Sequence, residues 1–295
     1  MGYGDWLMLS GRVRELQKSF PGMKIVVTPE MEKSSYFREV FYANPYITLH
    51  RALGTADPYI CVANHLPGRL SEDGKKFVWY DDFQAVRGDL FFTRDEIAFA
   101  SQALGEIRSA WQSVHGRPPP RVIVVNPWAK RKQLYADGSL RPYHHATNKE
   151  WGIDKYQQLV ARIADHSAVV QFTQHDDTCG KVLKNVLQVG CESFRQAVAV
   201  LKSCDLYVGA EGGLHHGAAA VGKPAVVIFG GWISPKTTGY AYHDNIYVGD
   251  PNFPCGARYP CAHCSACMEK ISIDAVFGRI NLRLADLGTV SPSVP

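Results

Sequence analysis

The sequence has no long apolar run. No stretch approaches the roughly 18 residues that a membrane-spanning helix needs, and the longest, AAAVGKPAVVIFGG, is broken by Lys223 and Pro224. No membrane span is expected, although peripheral association with a membrane stays compatible. No basic stretch leads into an apolar core at the start, so no secretory leader is expected and the location is read as cytoplasmic. An excess of one charge is missing too: 32 Lys and Arg face 28 Asp and Glu, for a net charge of +4. Such a mild balance is not that of a nucleic-acid binder, and no nucleic acid is expected as partner. There is no internal repeat, and biased composition is confined to the Pro/Ser-rich end GTVSPSVP. Two phosphate signatures are also absent. Gly222-Lys223-Pro224 lacks the Ser or Thr and the glycine loop of a Walker sequence, and no G-x-G-x-x-G follows a strand. A bound dinucleotide is therefore not expected.

What is present describes a soluble globular chain. Its 295 residues are 46% hydrophobic and 20% charged, enough for one large or two ordinary domains. Leu7, Leu9, Val13 and Leu16 follow helical spacing over 6–18, and FPG stops that helix. MKIVVTP (23–29) and YICVANH (59–65) read as strands. Thr93 and Glu96 form a capping box for a long helix within 91–116. RPPPR (117–121) is the strongest linker signal.

After it, strands and helices alternate. VIVVNP, SAVVQFT, DLYVGA and PAVVIFG read as strands, and WGIDKYQQLVARIADH, CESFRQAVAVLKSC and GLHHGAAAVG as helices. The spacing predicts βαβ units and a parallel sheet. MEKISIDAVFGRINLRLADL (268–287) is expected to close the chain as one helix. Two α/β domains, 1–117 and 118–295, follow. Ligands of open parallel sheets bind at the carboxyl ends of the strands, which points into the cleft between the domains.

The stretch GAEGGLHHGAAAVGKP (209–224) carries the first functional signal. Glycines before a helix expose N–H groups, and the helix dipole favours an anion there. Small residues at 217–220 let the helix approach the sheet. Doubly wound sheets contain many such turns that bind nothing, so a plain connection is the competing reading. Glu211 would repel a bare phosphate and is better suited to sugar or ribose hydroxyls.

The second signal is cysteine. Cys61, Cys179, Cys191 and Cys204 are scattered, as reduced core thiols usually are, while Cys255, Cys261, Cys264 and Cys267 crowd together. Their C-x5-C-x2-C-x2-C spacing suits four thiolates around one Zn or Fe, with His263 as a substitute ligand. Reduced surface thiols and disulfides are the alternatives. The cluster is assigned no catalytic role.

Three further segments join these signals into a resemblance. GYGDWLMLSGRVRELQKSFPG, NKEWGIDKYQQLVARI and GAEGGLHHGAAAVGKPAVVIFG, with the closing CSACMEKISIDAVFGRI, run in order from residue 2 to about 284. Together they resemble glycosyltransferase family 9, the ADP-heptose:lipopolysaccharide heptosyltransferases. The resemblance implies a GT-B fold, with two Rossmann-like domains facing a cleft, acceptor mainly in the first and nucleotide-sugar donor mainly in the second. It also implies an inverting transfer with no catalytic metal, to a glycan, lipid-linked or protein hydroxyl. Asp5 would be the general base, or only a helix cap. Lys149 would neutralise donor phosphate, or be a solvated surface charge. Glu211, Gly212, Gly213 and His216 would form the donor-binding turn, with His215 facing elsewhere and His216 equally able to pack on the sheet. Some branches of the family carry an iron-binding cysteine finger.

The sequence departs from the family in three places. MGYGDW leaves no residues for the strand that precedes this loop in the family, so the N-terminal domain is expected to lack its first strand. The family's Asp-Thr-Gly is Glu-Gly-Gly, which points to a different sugar or base. Residues 128–149 form a long loop whose Lys130, Arg131, Lys132 and Arg141 would grip phosphate or an acidic acceptor, or simply be solvated. Two other functions remain open: another GT-B activity such as a nucleotide-sugar epimerase, and a non-catalytic sugar-nucleotide or metal-binding protein.

Overall fold

The computed structural model describes residues 2–63, 65–127, 132–134, 140–142, 144–173, 182–250 and 252–289. The N-terminal part opens with helix α1 (Tyr3–Ser19). Asp5 is the third helical residue, and its carboxylate accepts the Gly2 N–H at 2.7 Å. Strand β1 (Lys24–Val27), the short helices α2 (Pro29–Glu32) and α3 (Ser35–Val40), and strand β2 (Tyr59–Val62) follow. β1 and β2 pair in parallel, Ile25 opposite Ile60, as a two-stranded sheet. β3 (Gly68–Leu70) and β4 (Phe77–Trp79) make an antiparallel pair. Trp6, Leu7, Leu9 and Val13 of α1 bury against Ile25, Val27, Phe37 and Val40.

Helix α4 (Arg94–His115) begins at the Thr93 cap, with Glu96 closing the box, and ends at Gly116, whose φ of 69° suits glycine. Its Ala100, Ala103, Ile107 and Trp111 bury against Val122, Val124, Ala168 and Val170. The helix thus packs on the sheet that follows it, not on the strands before it.

That sheet combines β5 (Val122–Asn126), β8 (Ala168–Thr173), β9 (Leu187–Gly190), β10 (Leu206–Ala210), β11 (Ala225–Gly230) and β12 (Asp244–Tyr247). Between β5 and β8 lie a short hairpin, β6 (Lys132–Leu134) and β7 (Leu140–Pro142), a 3-10 turn (His144–Lys149) and α5 (Ile153–Ile163). The later helices are α6 (Phe194–Ser203), α7 (Gly213–Ala220), α8 (Pro235–Thr238), α9 (Ala262–Lys270) and α10 (Ile273–Thr289). All pairings of the six strands are parallel, in the order β12-β11-β10-β5-β8-β9. In chain order that is the doubly wound arrangement, which reverses between β5 and β10. Buried, mostly apolar residues fill β5, β8, β10 and β11 because both faces are covered. α4 and α6 cover one face; α5 and α10 cover the other.

Two expectations are corrected. Residues 268–287 are not one helix, because α9 and α10 part at Ile271 and Ser272. There the Ile271 carbonyl accepts the Trp151 indole N–H at 2.9 Å and Lys155 Nζ at 3.2 Å, while Ser272 Oγ caps α10 through Ala275 N–H. The 128–149 segment is not a plain loop, because within it β6 and β7 pair antiparallel and a 3-10 turn follows. Among the described residues, no helix is long and apolar enough to cross a membrane.

Candidate functional site

Strands β5 and β10 are neighbours where the strand order reverses, and their carboxyl ends open the crevice in which such sheets bind ligands. β10 ends at Ala210, and Glu211-Gly212 turn straight into α7. The chain leaving β5 returns with Lys149 at the end of the 3-10 turn. Lys149 and Glu211, 62 residues apart, therefore meet at the reversal point.

Lys149 Nζ donates to Glu211 Oε2 at 2.5 Å and lies 4.2 Å from the centroid of the Trp232 ring. Glu211 Oε1 faces His216 Nε2 at 3.4 Å, and His216 Nδ1 meets the Tyr240 hydroxyl at 2.8 Å. Burial opposes the charge on Glu211, but Lys149 and then His216 outweigh it and hold the carboxyl far below the usual carboxylate range. Glu211 is therefore an anion and can only accept. The His216 ring can satisfy both neighbours by donating from Nε2 to Glu211 and accepting the Tyr240 O–H at Nδ1.

His215, the next residue, is fully buried between the rings of His216, Phe229, Tyr240 and His243. Neither ring nitrogen has a partner, and burial holds its pKa well below the usual histidine value, so it stays neutral. One of its ring nitrogens nevertheless lies within 4.8 Å of a Glu211 carboxylate oxygen and of a His216 nitrogen, so the expectation that this histidine faces elsewhere is corrected: it packs beside the carboxylate.

The small residues of α7 are used for close packing. A Cβ at Gly217 would stand 2.7 Å from Val198 of α6, and one at Gly213 would stand 3.3 Å from the Tyr3 Cβ of α1. α1 approaches the same turn from the other side. Tyr3 stacks on Phe194 with ring centroids 4.0 Å apart, and a Cβ on Gly4 would lie 2.5 Å from His216. Arg195, buried, donates to Glu96 at 2.6 Å and to the Glu39 carbonyl at 2.8 Å, fastening α6 to the N-terminal part. Gly4→Val is accordingly expected to destabilise the fold by about 2 kcal/mol through overpacking. Denaturant unfolding checks this, and unchanged stability would mean that α1 and α7 do not touch in solution.

Asp5 is thus one residue from the contact with His216. Its carboxylate starts α1, and the charges of both Arg12 and Asp5 act on His65, whose Nε2 is buried without a partner. Sequence reasoning missed Trp232, Tyr240 and His65. Trp232 had a weak signal, because it directly follows a buried strand; the other two had none. Lys130 and Arg131 lie outside the described residues. Lys132 and Arg141 fall on β6 and β7, one register step apart.

The cysteines divide unequally. Donor atoms of Cys255, Cys261, Cys264 and His263 all lie within 4.8 Å of one another, while Cys267 groups with Asp250 and His263. The Cys255 and Cys264 sulfurs face each other across 3.0 Å, a contact that pushes the Cys255 thiol down and drives Cys264 up. Three thiols and an imidazole suit tetrahedral Zn or Fe. Asn148, next to Lys149, ties this loop to the site. Its amide donates to the Ala257 and Tyr259 carbonyls at 2.9 Å each and accepts the Cys261 N–H at 2.9 Å. Cys179 lies outside the described residues.

Residues 139–265 match the family model described as glycosyltransferase family 9 (heptosyltransferase). That segment contains Lys149, the Glu211 turn and three of the four clustered cysteines. The fold is similar to a family 9 glycosyl transferase from Veillonella parvula, at 14% identity and a TM-score of 0.62, over 97% of this chain and 95% of that one. It is also similar to the ADP-heptose lipopolysaccharide heptosyltransferase II of Escherichia coli, at 15% identity and a TM-score of 0.56, over 98% and 97%. A third similar structure is the iron-containing dodecameric glycosyltransferase TibC of enterotoxigenic E. coli, at 13% identity and a TM-score of 0.56, over 97% of this chain and 74% of that one. No curated protein sequence matches significantly. The fold is the GT-B fold of these enzymes, as the motifs led one to expect, and the family model matches the segment that holds Lys149 and the Glu211 turn.

Proposed function

We propose that this protein is an inverting glycosyltransferase that moves a sugar, with a heptose as the first candidate, from a nucleotide-diphosphate donor to an acceptor hydroxyl. One observation carries the reading. Three motifs far apart in the chain, around Gly4-Asp5, Lys149 and Glu211–His216, converge at the reversal point of the sheet. Asp5 would take the acceptor proton as the acceptor oxygen bonds to the sugar's anomeric carbon. The bond from that carbon to the diphosphate breaks on the opposite face. Lys149 and the N–H groups at the start of α7 would stabilise the leaving charge. Residues 1–117 would supply the acceptor side and 118–295 the donor side, on a glycan, lipopolysaccharide or protein acceptor. No step calls for a metal in catalysis.

The test is acceptor dependence. A nucleotide sugar incubated with the protein should release nucleoside diphosphate only when a hydroxyl acceptor is added. Conversion of the sugar without acceptor would indicate an epimerase instead.

We further assign Cys255, Cys261, Cys264 and His263 to a structural Zn or Fe that braces the Asn148–Lys149 turn. Purified protein is expected to carry about one metal per chain by elemental analysis. Cys264→Ser should release it and weaken nucleotide-sugar binding, whereas Cys61→Ser should do neither. Metal-free protein with unaltered binding would refute the bracing role.

A further inference from the structure

The Lys149 ammonium is engaged in the free site. Glu211 Oε2 accepts from it and the Trp232 ring covers another side. Glu211 is itself enclosed. Its other oxygen faces His216, which Tyr240 holds in turn. Of the pair, Lys149 keeps 13% of its side chain exposed and Glu211 only 5%, so an incoming molecule meets the lysine first. A carboxylate with both oxygens taken and almost no surface is badly placed to read sugar hydroxyls. It acts on a donor through the lysine.

We infer that Glu211 is a positioning residue that competes with the donor diphosphate for Lys149 and so holds down affinity for the nucleoside diphosphate. The inference rests on the donor-site reading above. Carboxylate and phosphate seek the same ammonium, and His216 and Tyr240 keep Glu211 from turning away. With a diphosphate bound, two anions share one cation in a poorly solvated place, and their repulsion is felt strongly. The cost grows with ligand charge. A nucleotide sugar carries about two negative charges, and the nucleoside diphosphate released by transfer carries about three near neutral pH. Glu211 therefore penalises the product more than the donor. It retakes Lys149 as the product leaves. The longer acid in Glu-Gly-Gly, compared with an aspartate, supplies the reach for this contact.

Glu211→Gln tests the inference, because it removes the charge and keeps an oxygen for Lys149. Titration calorimetry with ADP and with ADP-heptose would be run on wild type and variant, together with steady-state kinetics. ADP should bind about tenfold tighter to the variant, in line with one like charge removed a few ångströms away. ADP-heptose should tighten less, and KM and kcat should both fall as product release slows. Loss of packing alone would weaken ADP, so a gain in affinity separates the two roles. Unchanged or weaker ADP binding in a folded variant would overturn the inference. Unchanged ADP with weakened ADP-heptose would also do so, and would return Glu211 to reading sugar hydroxyls. If the Gln variant does not fold, Glu211→Asp draws the charge back by one methylene and should tighten ADP about threefold; no tightening there overturns the inference equally. A wild-type protein that binds neither ADP nor any nucleotide sugar would overturn the donor-site reading itself.

Discussion

Asp5→Asn should cut turnover by about a thousandfold and leave donor binding almost unchanged. The substitution is chosen to separate two roles. Asp5 holds the Gly2 N–H at the start of α1, and an Asn oxygen can accept the same hydrogen bond. What Asn cannot do is take a proton from an acceptor hydroxyl. If Asp5 only starts the helix, the variant should lose at most about 1 kcal/mol of stability and keep its activity. If Asp5 is the base, kcat falls while the ADP dissociation constant and the unfolding midpoint stay close to wild type. Steady-state kinetics, calorimetry and a denaturant curve on the same preparation decide between the two.

Lys149→Met should be the most damaging substitution to the fold at the site. It leaves the Glu211 carboxylate buried with only His216 beside it, and removing one partner of a buried pair costs about 3–5 kcal/mol. Donor binding should disappear as well. The double change Lys149→Met with Glu211→Gln should regain most of the stability, because no buried charge is left unpaired, yet should not regain donor binding. A lysine on a solvated loop would behave differently, since its replacement would change stability by less than about 0.5 kcal/mol. Chemical denaturation of the single and double variants, with ADP titration, checks both halves.

Much of residues 118–295 could be read along the chain, because the order there is local. Strands such as VIVVN and AVVIFG are buried on both faces and spell themselves as apolar runs. The Thr93–Glu96 box marks the start of α4 within one turn. The small residues of α7 announce close packing, and Gly217 on Val198 shows it. What escaped depends on contacts between distant residues. Nothing near Ile271 says that its carbonyl will be taken by Trp151, 120 residues earlier, and so nothing marks the break before α10. Nothing in RPPPR says that the helix before it packs on the sheet after it. The buried face of α4 fits Val122 and Ala168.

The site was legible in part for the same reason. Motif spelling brought Asp5, Lys149 and Glu211 forward separately. That Lys149 and Glu211 neutralise each other is a meeting across 62 residues, and it changes what Glu211 can do. Tyr240 had no signal at all, since a tyrosine after a short helix is ordinary, yet its hydroxyl holds the His216 ring. The cysteine cluster was visible from spacing alone. Its division, with His263 joining three cysteines and Cys267 turning to Asp250, follows from α9, which sets Cys264 and Cys267 one helical step apart.

The central claim is a nucleotide-sugar donor site built on Lys149 and the turn before α7. Thermal unfolding of the wild-type protein with ADP-, UDP- and GDP-linked sugars tests it most directly. At a ligand concentration a hundredfold above its dissociation constant, the stabilisation should be about 2.7 kcal/mol, seen as a rise of a few degrees in Tm. At least one of the three classes is expected to give that rise. No shift with any of them would contradict the account.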